Sequence, residues 1–273
     1  MKSFKNFLLE STSNIIFGGD IMFGRRFHDK YDSLDFNPLE NIKSIFKDKY
    51  SVINFETAID TFEYEKLDKI QLVSNESLID KLKEAGIDCV SIANNHTMDS
   101  GIKNYKHALS LFKKNNIAVI GYDKKYVRHN GYLICSMLDD KYIEDHDIYS
   151  GANLDLLSNA KDMLDKLKKK YPDDKIICYT HCGIEYNDST SYLKEMLIPL
   201  FEYGCDIIIN GHPHIPIKTE IINRKPVCWS LGNLVFDQDY PVSWQAKLVE
   251  LNINSGKLID IPIEIEDYLP KFK

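Results

Sequence analysis

The sequence predicts an α/β fold with two stacked mixed sheets, and three observations point there. From residue 15 to residue 210, short β-rich runs alternate with amphipathic helical stretches, the pattern of strands joined by crossover helices. Beyond residue 210 the helical pattern stops and β-rich runs follow, so the tail is expected to supply a second sheet. No linker rich in Pro, Gly or Ser and no internal repeat divides the chain. One domain over 1–273 is therefore expected, with its core at about 14–240 and strands over 241–267 completing the second sheet.

Taken in order, Ile15-Ile16-Phe17 reads as a strand stopped by Gly18-Gly19. Residues 38–46 read as a helix, with Asn37 as its cap and Pro38 at the first helical position. Residues 50–55 form the second strand, 77–85 a helix with Gly86 as its stop, and 89–93 the third strand. A helix over 101–115 leads to a strand at 117–120. A long amphipathic helix over 154–170 ends before Pro172, and a strand over 175–180 follows. A helix over 192–203 precedes a strand at 206–210. Residues 227–230, 246–253 and 257–265 read as strands, the last two joined at Ser255-Gly256.

Composition narrows the functions. With 44% hydrophobic and 27% charged residues the 273-residue chain is ordinary for a globular protein. A net charge of −7 excludes a broad nucleic-acid footprint, which needs a basic surface. The lysines at 166–170 sit within a helical pattern and read as a solvated face. Cys89, Cys135, Cys178, Cys182, Cys205 and Cys228 are scattered through mostly apolar runs and read as buried free thiols. No stretch approaches the roughly 18 apolar residues that span a bilayer, and residues 1–14 lack the apolar core of a signal peptide. The expectation is a cytoplasmic protein without a membrane anchor.

The chemistry gathers where strands end. Asp20 follows the first strand, Asn54 and Glu56 end the second, and Asn94-Asn95-His96 follow the third. His181 ends a fourth, and Gly211-His212-Pro213-His214 follows a fifth. Sites in α/β sheets form at the carboxyl ends of strands, where five such endings can converge. Each has an ordinary alternative alone: a Gly-Asp turn, a capping Glu56, Asn-rich turn chemistry, a core His181. Two histidines one residue apart after an apolar strand have few. Carboxylates, a carboxamide oxygen and imidazoles suit Mn²⁺, Fe or Zn²⁺, and two such ions about 3.5–4 Å apart can clamp a hydroxide against a phosphoryl group. A histidine beside them can protonate a leaving group. His28, His107, His129 and His146 lie in polar or helical contexts and read as surface residues.

These stretches resemble the capsule-synthesis and poly-γ-glutamate-synthesis (CapA-type) proteins, a branch similar to the calcineurin-like metallophosphoesterases. The resemblance rests on Gly19-Asp20-Ile21-Met22-Phe23-Gly24-Arg25, Asn54-Phe55-Glu56, Ala93-Asn94-Asn95-His96-Thr97-Met98-Asp99-Ser100-Gly101, His181-Cys182-Gly183-Ile184-Glu185-Tyr186, Gly211-His212-Pro213-His214 and Ser230-Leu231-Gly232-Asn233. It implies a four-layer α/β/β/α sandwich around one or two divalent ions, Mn²⁺ foremost. Glu56 would bridge them, Asn95, His181 and His212 would complete one site, and Asp20 and His214 would hold the other. His96 would be the acid for the leaving group, oriented by Asp99, and Arg25 would bind an anionic substrate group. Asn54, Asn94, Glu185 and Asn233 would line the site. The chain departs from the wider superfamily at Met22, where Asp-x-His is usual, so the Asp20 side lacks one imidazole. It also has Cys182 where an aromatic residue is common after the histidine.

The implied activity is a metal-dependent hydrolase in which a metal-bound hydroxide attacks a phosphoester, or an amide carbonyl. Phosphomonoester, phosphodiester, nucleotide and γ-glutamyl amide substrates all stay open. The alternative is an accessory protein of capsule or poly-γ-glutamate synthesis that binds an anionic polymer. A catalytically inactive scaffold ranks last, because a decayed site would lose more than one ligand.

Overall fold

A computed structural model describes residues 13–31, 36–67, 69–143 and 149–273. In chain order these form β1 (Ile15–Ile21), α1 (Arg25–Lys30), β2 (Tyr50–Phe55), β3 (Ala58–Ile59), β4 (Val73–Ser74), α2 (Leu78–Glu84), β5 (Cys89–Ser91) and α3 (Gly101–Lys114). Then come β6 (Ala118–Ile120), β7 (Tyr126–His129), β8 (Tyr132–Leu138), α4 (Ala160–Lys170), β9 (Lys175–His181), α5 (Ser191–Leu197) and α6 (Pro199–Glu202). The rest is β10 (Ile207–Gly211), β11 (Pro216–Ile222), β12 (Lys225–Leu231), β13 (Asn233–Val235), β14 (Gln245–Asn252), β15 (Lys257–Glu266) and β16 (Leu269–Phe272).

The strands make two large mixed sheets. One has the order β16-β15-β14-β1-β2-β5-β6, with β13 also paired to β1. The other runs β11-β12-β10-β9-β8-β7. Period-2 alternation assigns each side chain to a face. On β1, Ile15 and Phe17 pack with Tyr179, Ile209 and Cys228 of the six-stranded sheet. Ile16, between them, packs with Leu78 and Leu82 of α2 and Phe112 of α3. The far face of the six-stranded sheet, through Ile176 and Ile208, packs on Met163 and Leu164 of α4 and Leu197 of α5. Strands buried on both faces need continuous apolar runs, and β1 and β8 are buried at every position.

Several expectations are corrected. β1 runs through Gly18-Gly19 because the glycines permit close packing: a Cβ on Gly18 would meet Leu234 Cδ2 at 2.8 Å, and one on Gly19 would meet Gly232 O at 1.8 Å. Residues 38–46 hold turns and one 3₁₀ turn, Lys43–Ile45, instead of an α-helix. There Asn37 Oδ1 accepts from Leu39 N at 2.9 Å and successive i→i+3 bonds tighten the chain. The tail does not complete the second sheet. β14 pairs antiparallel with β1, Ile15 opposite Leu251 and Phe17 opposite Val249, extending the sheet that β1 belongs to. Val249 and Leu251 thereby join the core between the sheets, while Leu248 packs on the opposite, helix-covered face.

The β14–β15 hairpin at Ser255-Gly256 is as expected, with Gly256 at φ +68. All six cysteines are free and buried, and Lys166, Lys169 and Lys170 are exposed on α4. Among the described residues no helix is long and apolar enough to cross a membrane. His146 and most of residues 1–14 lie outside the described residues.

Candidate metal centre

Five strand ends meet between the two sheets. β1 and β2 place Asp20 opposite Asn54, with Glu56 just beyond β2. β9 and β10 place His181 opposite Gly211. The loop after β5 supplies Asn94, Asn95 and His96. Past Gly211 the backbone takes the left-handed region at His212 (φ 90) and His214 (φ 57). Non-glycine residues hold that geometry at a cost of about 1–3 kcal/mol each, and the two imidazoles reach the same buried centre. A Cβ on Gly211 would lie 2.8 Å from Asp20 Oδ1, so only glycine lets this loop approach the carboxylate.

Two overlapping groups can hold an ion: Glu56, His181 and His212, and Asp20, Glu56 and His214. All five side chains are buried. Glu56 Oε1 lies 3.4 Å from His181 Nε2 and 3.8 Å from His214 Nε2. Asn95 Oδ1 is 2.8 Å from His181 Nε2, and His212 Nδ1 is 3.1 Å from the same nitrogen. On the other side Asp20 Oδ2 lies 3.4 Å from His214 Nδ1. Asp20 also accepts from Asn54 Nδ2 at 2.8 Å and from His212 N at 3.2 Å.

The electrostatics are those of a site that suits a cation. Both carboxylate oxygens of Glu56 are buried without a hydrogen-bond partner. Burial and the neighbouring Asp20 charge push the Glu56 carboxyl well above its usual range. Burial likewise raises Asp20 to about 7 against the opposing bonds from Asn54 and His212. Burial first, then neighbouring imidazoles, hold His181 and His212 well below the usual histidine range, and burial takes His214 down to about 3. Neutral imidazoles are ligands, and an orphaned buried carboxylate is costly unless a proton or cation satisfies it. The donors are oxygen and imidazole nitrogen, the set that suits divalent Mn, Fe or Zn. The residues present therefore fit a divalent ion.

The remaining predicted residues fall around this centre. His96 Nδ1 lies 2.6 Å from Asp99 Oδ2, and buried Asp99 also accepts from Lys69 Nζ and Leu72 N, each at 2.7 Å. Asn94 bonds Asn54 Oδ1 and the His96 backbone, stitching two of the loops together. Asn233 Oδ1 lies 2.8 Å from His214 Nδ1. Arg25 and Glu185 line a cavity of about 630 Å³ beside the centre, together with Asn95, His96 and His214. Arg25 is engaged by Asp237, to which it donates through Nε at 3.2 Å and through Nη2. Met22 points elsewhere: its sulfur accepts from Gly24 N at 2.9 Å, and it packs with Leu72 and Phe236. Cys182 is likewise turned away, its Sγ 3.4 Å from Asp139 Oδ2. His28 is exposed, while His107 pairs with Glu76 and His129 bonds Ser13, both outside the centre.

Sequence reasoning missed Tyr142, whose hydroxyl lies 2.5 Å from His212 Nε2, and Tyr149, which donates to Asn95 O. It also missed Asp237. The signal was available for Tyr142: it lies in the loop that opens at Asp139, just past the unanticipated strand β8, on the same side as the other five loops.

Comparison with known proteins adds to this geometry. Residues 14–143 and 139–238 match the family model described as bacterial capsule synthesis protein PGA_cap. The chain is 27% identical over 282 residues to the PGA biosynthesis protein CapA of Bacillus subtilis (strain 168), covering 93% of this chain and 72% of that protein. It is 28% identical over 282 residues to the capsule biosynthesis protein CapA of Bacillus anthracis, covering 93% and 67%. Among solved structures, a single-mutant Vps29 from Entamoeba histolytica overlays with a TM-score of 0.33 at 13% identity, covering 81% of this chain and 96% of that one. That overlay is too loose to carry an argument.

Proposed function

The chain belongs to the bacterial capsule synthesis (PGA_cap) family, and from that premise we propose that it is a divalent-metal-dependent hydrolase acting on a phosphoester. The observation that carries this reading is Glu56, with both oxygens buried and unpartnered between two groups of potential ligands that share it. In this reading Glu56, common to both groups, would be shared by two ions. His181, His212 and the Asn95 carboxamide complete one site, and Asp20 and His214 hold the other. Mn²⁺ is the foremost candidate, ahead of Fe or Zn²⁺. The two sheets and their flanking helices then form one domain, a four-layer α/β/β/α sandwich with the centre between the sheets.

A divalent pair supplies Lewis-acid polarisation of a phosphoryl oxygen and lowers the pKa of bound water. The chain's own residues do the rest. Asp99 occupies His96 Nδ1, so Nε2 is the nitrogen left to hold the proton for the departing oxygen. Lys69 and Leu72 N fix the Asp99 carboxylate, so the imidazole keeps one orientation. Substrate enters through the cavity that His96 lines.

Assay of the purified protein on generic phosphoesters, with Mn²⁺ and with chelator, tests the reading. Turnover should require metal, vanish in Glu56→Gln, and fall by about 10²–10⁴ in His96→Ala. Metal-independent turnover, or wild-type activity in His96→Ala, would refute it.

The names of the curated relatives favour a second reading, an accessory role in capsule or poly-γ-glutamate synthesis with an anionic polymer as ligand. Binding of poly-γ-glutamate to the metal-loaded protein without any turnover would favour it over hydrolysis.

A further inference from the structure

The cavity beside the metal centre has charges at its rim that are already matched. Arg25 is engaged by buried Asp237 and Arg26 by Asp239. Glu185 lines the same cavity and makes no hydrogen bond or ion pair among the described residues. Three carboxylates thus outnumber two guanidinium groups, and the Nε–Nη2 fork of Arg25 is already filled by Asp237. Recognition of a dianionic phosphate normally uses such a fork, bidentate and unpaired.

The walls, by contrast, are aromatic and lead outward from a ligand. The ring of His214 lies 4.9 Å from that of Phe236 and 6.0 Å from that of Tyr186. Tyr186 in turn lies 4.6 Å from Tyr240, tilted by 42°. Tyr240 is 59% exposed and Ile70, on the same cavity, 68%. About 630 Å³ is room for far more than a phosphate group. A monoester has one substituent, which leaves. A diester has a second, which stays and needs a surface to lie on.

We propose that this cavity selects a singly charged phosphodiester carrying an aromatic or apolar substituent, laid along the Tyr186–Tyr240 wall, over a phosphomonoester. The proposal rests on the phosphoester reading above. The single charge of the diester would be met at the metal centre, while Glu185, the carboxylate left unmatched at the rim, repels the second charge of a monoester.

Two measurements on the Mn²⁺-loaded protein test it. Turnover of bis(p-nitrophenyl) phosphate should exceed that of p-nitrophenyl phosphate by about tenfold or more in kcat/KM. Tyr240→Ala should raise KM for the diester by about three- to tenfold with little change in kcat, and Glu185→Gln should narrow the preference by improving the monoester. Calorimetric binding of diphenyl phosphate and phenyl phosphate makes the same comparison without turnover, and the diester should bind tighter. Tight diphenyl phosphate binding with no turnover of either ester would overturn the hydrolase reading and uphold the selectivity. Equal or tighter binding of phenyl phosphate, or no binding of either, would overturn the selectivity itself.

Discussion

Tyr142 has one hydroxyl proton and two close neighbours. Its oxygen lies 2.7 Å from Gly183 O, which can only accept, and 2.5 Å from His212 Nε2. The proton therefore goes to the carbonyl, and the hydroxyl accepts from Nε2–H. That assignment leaves the lone pair of His212 on Nδ1, the nitrogen facing His181. Outer partners of this kind fix the tautomer of a ligating histidine and are worth about 10–100-fold in metal affinity. Tyr142→Phe is expected to weaken Mn²⁺ or Zn²⁺ binding by that factor in calorimetry while leaving the fold intact; unchanged affinity would remove Tyr142 from the site. A second residue-scale prediction concerns Asp155. Its Oδ1 accepts from Lys124 N at 2.8 Å, but its Oδ2 is buried without a partner. Burial raises the carboxyl to about 6 from its usual 3.8. The folded state thus holds the proton more tightly than the unfolded one, so stability present below about 4 is lost as pH rises through 6. Asp155→Asn, permanently neutral, should melt above the wild type at pH 8, with the gap closing below pH 4. An unchanged or lower melting point at pH 8 would count against the orphaned oxygen.

Among the elements, what the sequence made legible is what alternation and punctuation encode. Residues 50–55 match β2 in full, and Gly86, at φ +86, ends α2 as expected. What it concealed depends on contacts distant in sequence. Gly18-Gly19 looks like a stop until the 231–234 segment is seen packed against it. Residues 38–46 carry helix signals and the Asn37 side chain caps them as expected, but the segment closes through successive i→i+3 bonds and forms turns instead of an α-helix. The β7–β8 hairpin, by contrast, was signalled locally: Asn130-Gly131 joins the strands at φ 46 and φ 78, the left-handed pair that Asn-Gly favours. With it come Asp139 and Tyr142, a sixth loop at the site end. The candidate ligand loops were legible because each couples a β-run to a polar turn; the cavity wall was not, because Tyr186 follows β9 while Phe236 and Tyr240 follow β13, two loops distant in sequence. The same scale yields a test of the His212–His214 loop. Gly211→Ala places a methyl group 2.8 Å from Asp20 Oδ1, a carboxylate fixed by Asn54 and His212 N. Loss of about 1–3 kcal/mol in denaturant unfolding and weaker metal binding are expected; a variant with wild-type values in both would show that the loop approaches less closely than described.

For the molecule as a whole, the centre lies where the two sheets meet. Asp20 and Glu56 arrive from the eight-stranded sheet, and His181, His212 and His214 arrive from the six-stranded one. An ion held by both groups would tie the sheets together, so metal and stability should be linked. Without metal, Asp20 and Glu56 bury carboxyls whose proton affinity is raised, Asp20 to about 7. Raised folded-state values mean that the stability they contribute is present near pH 4 and is lost as pH climbs through about 7. The three histidines, held below their usual range, oppose this trend up to about pH 6.5, so chelated protein should melt progressively lower only above about pH 7. A divalent ion replaces the proton, and its binding strengthens as protons leave the ligands. With Mn²⁺ at about 100 times its Kd, the folded state should gain about 2.7 kcal/mol at pH 8, a rise of roughly 5 °C in melting temperature for a chain of this size. At pH 5 the gap between loaded and chelated protein should shrink. Glu56→Gln should abolish the metal increment while leaving the chelated protein as stable as the wild type or more so, because the buried charge is gone. A metal increment that persists in Glu56→Gln would place the ion elsewhere, and a loaded–chelated gap that does not grow with pH would show that these two carboxyls are not its ligands.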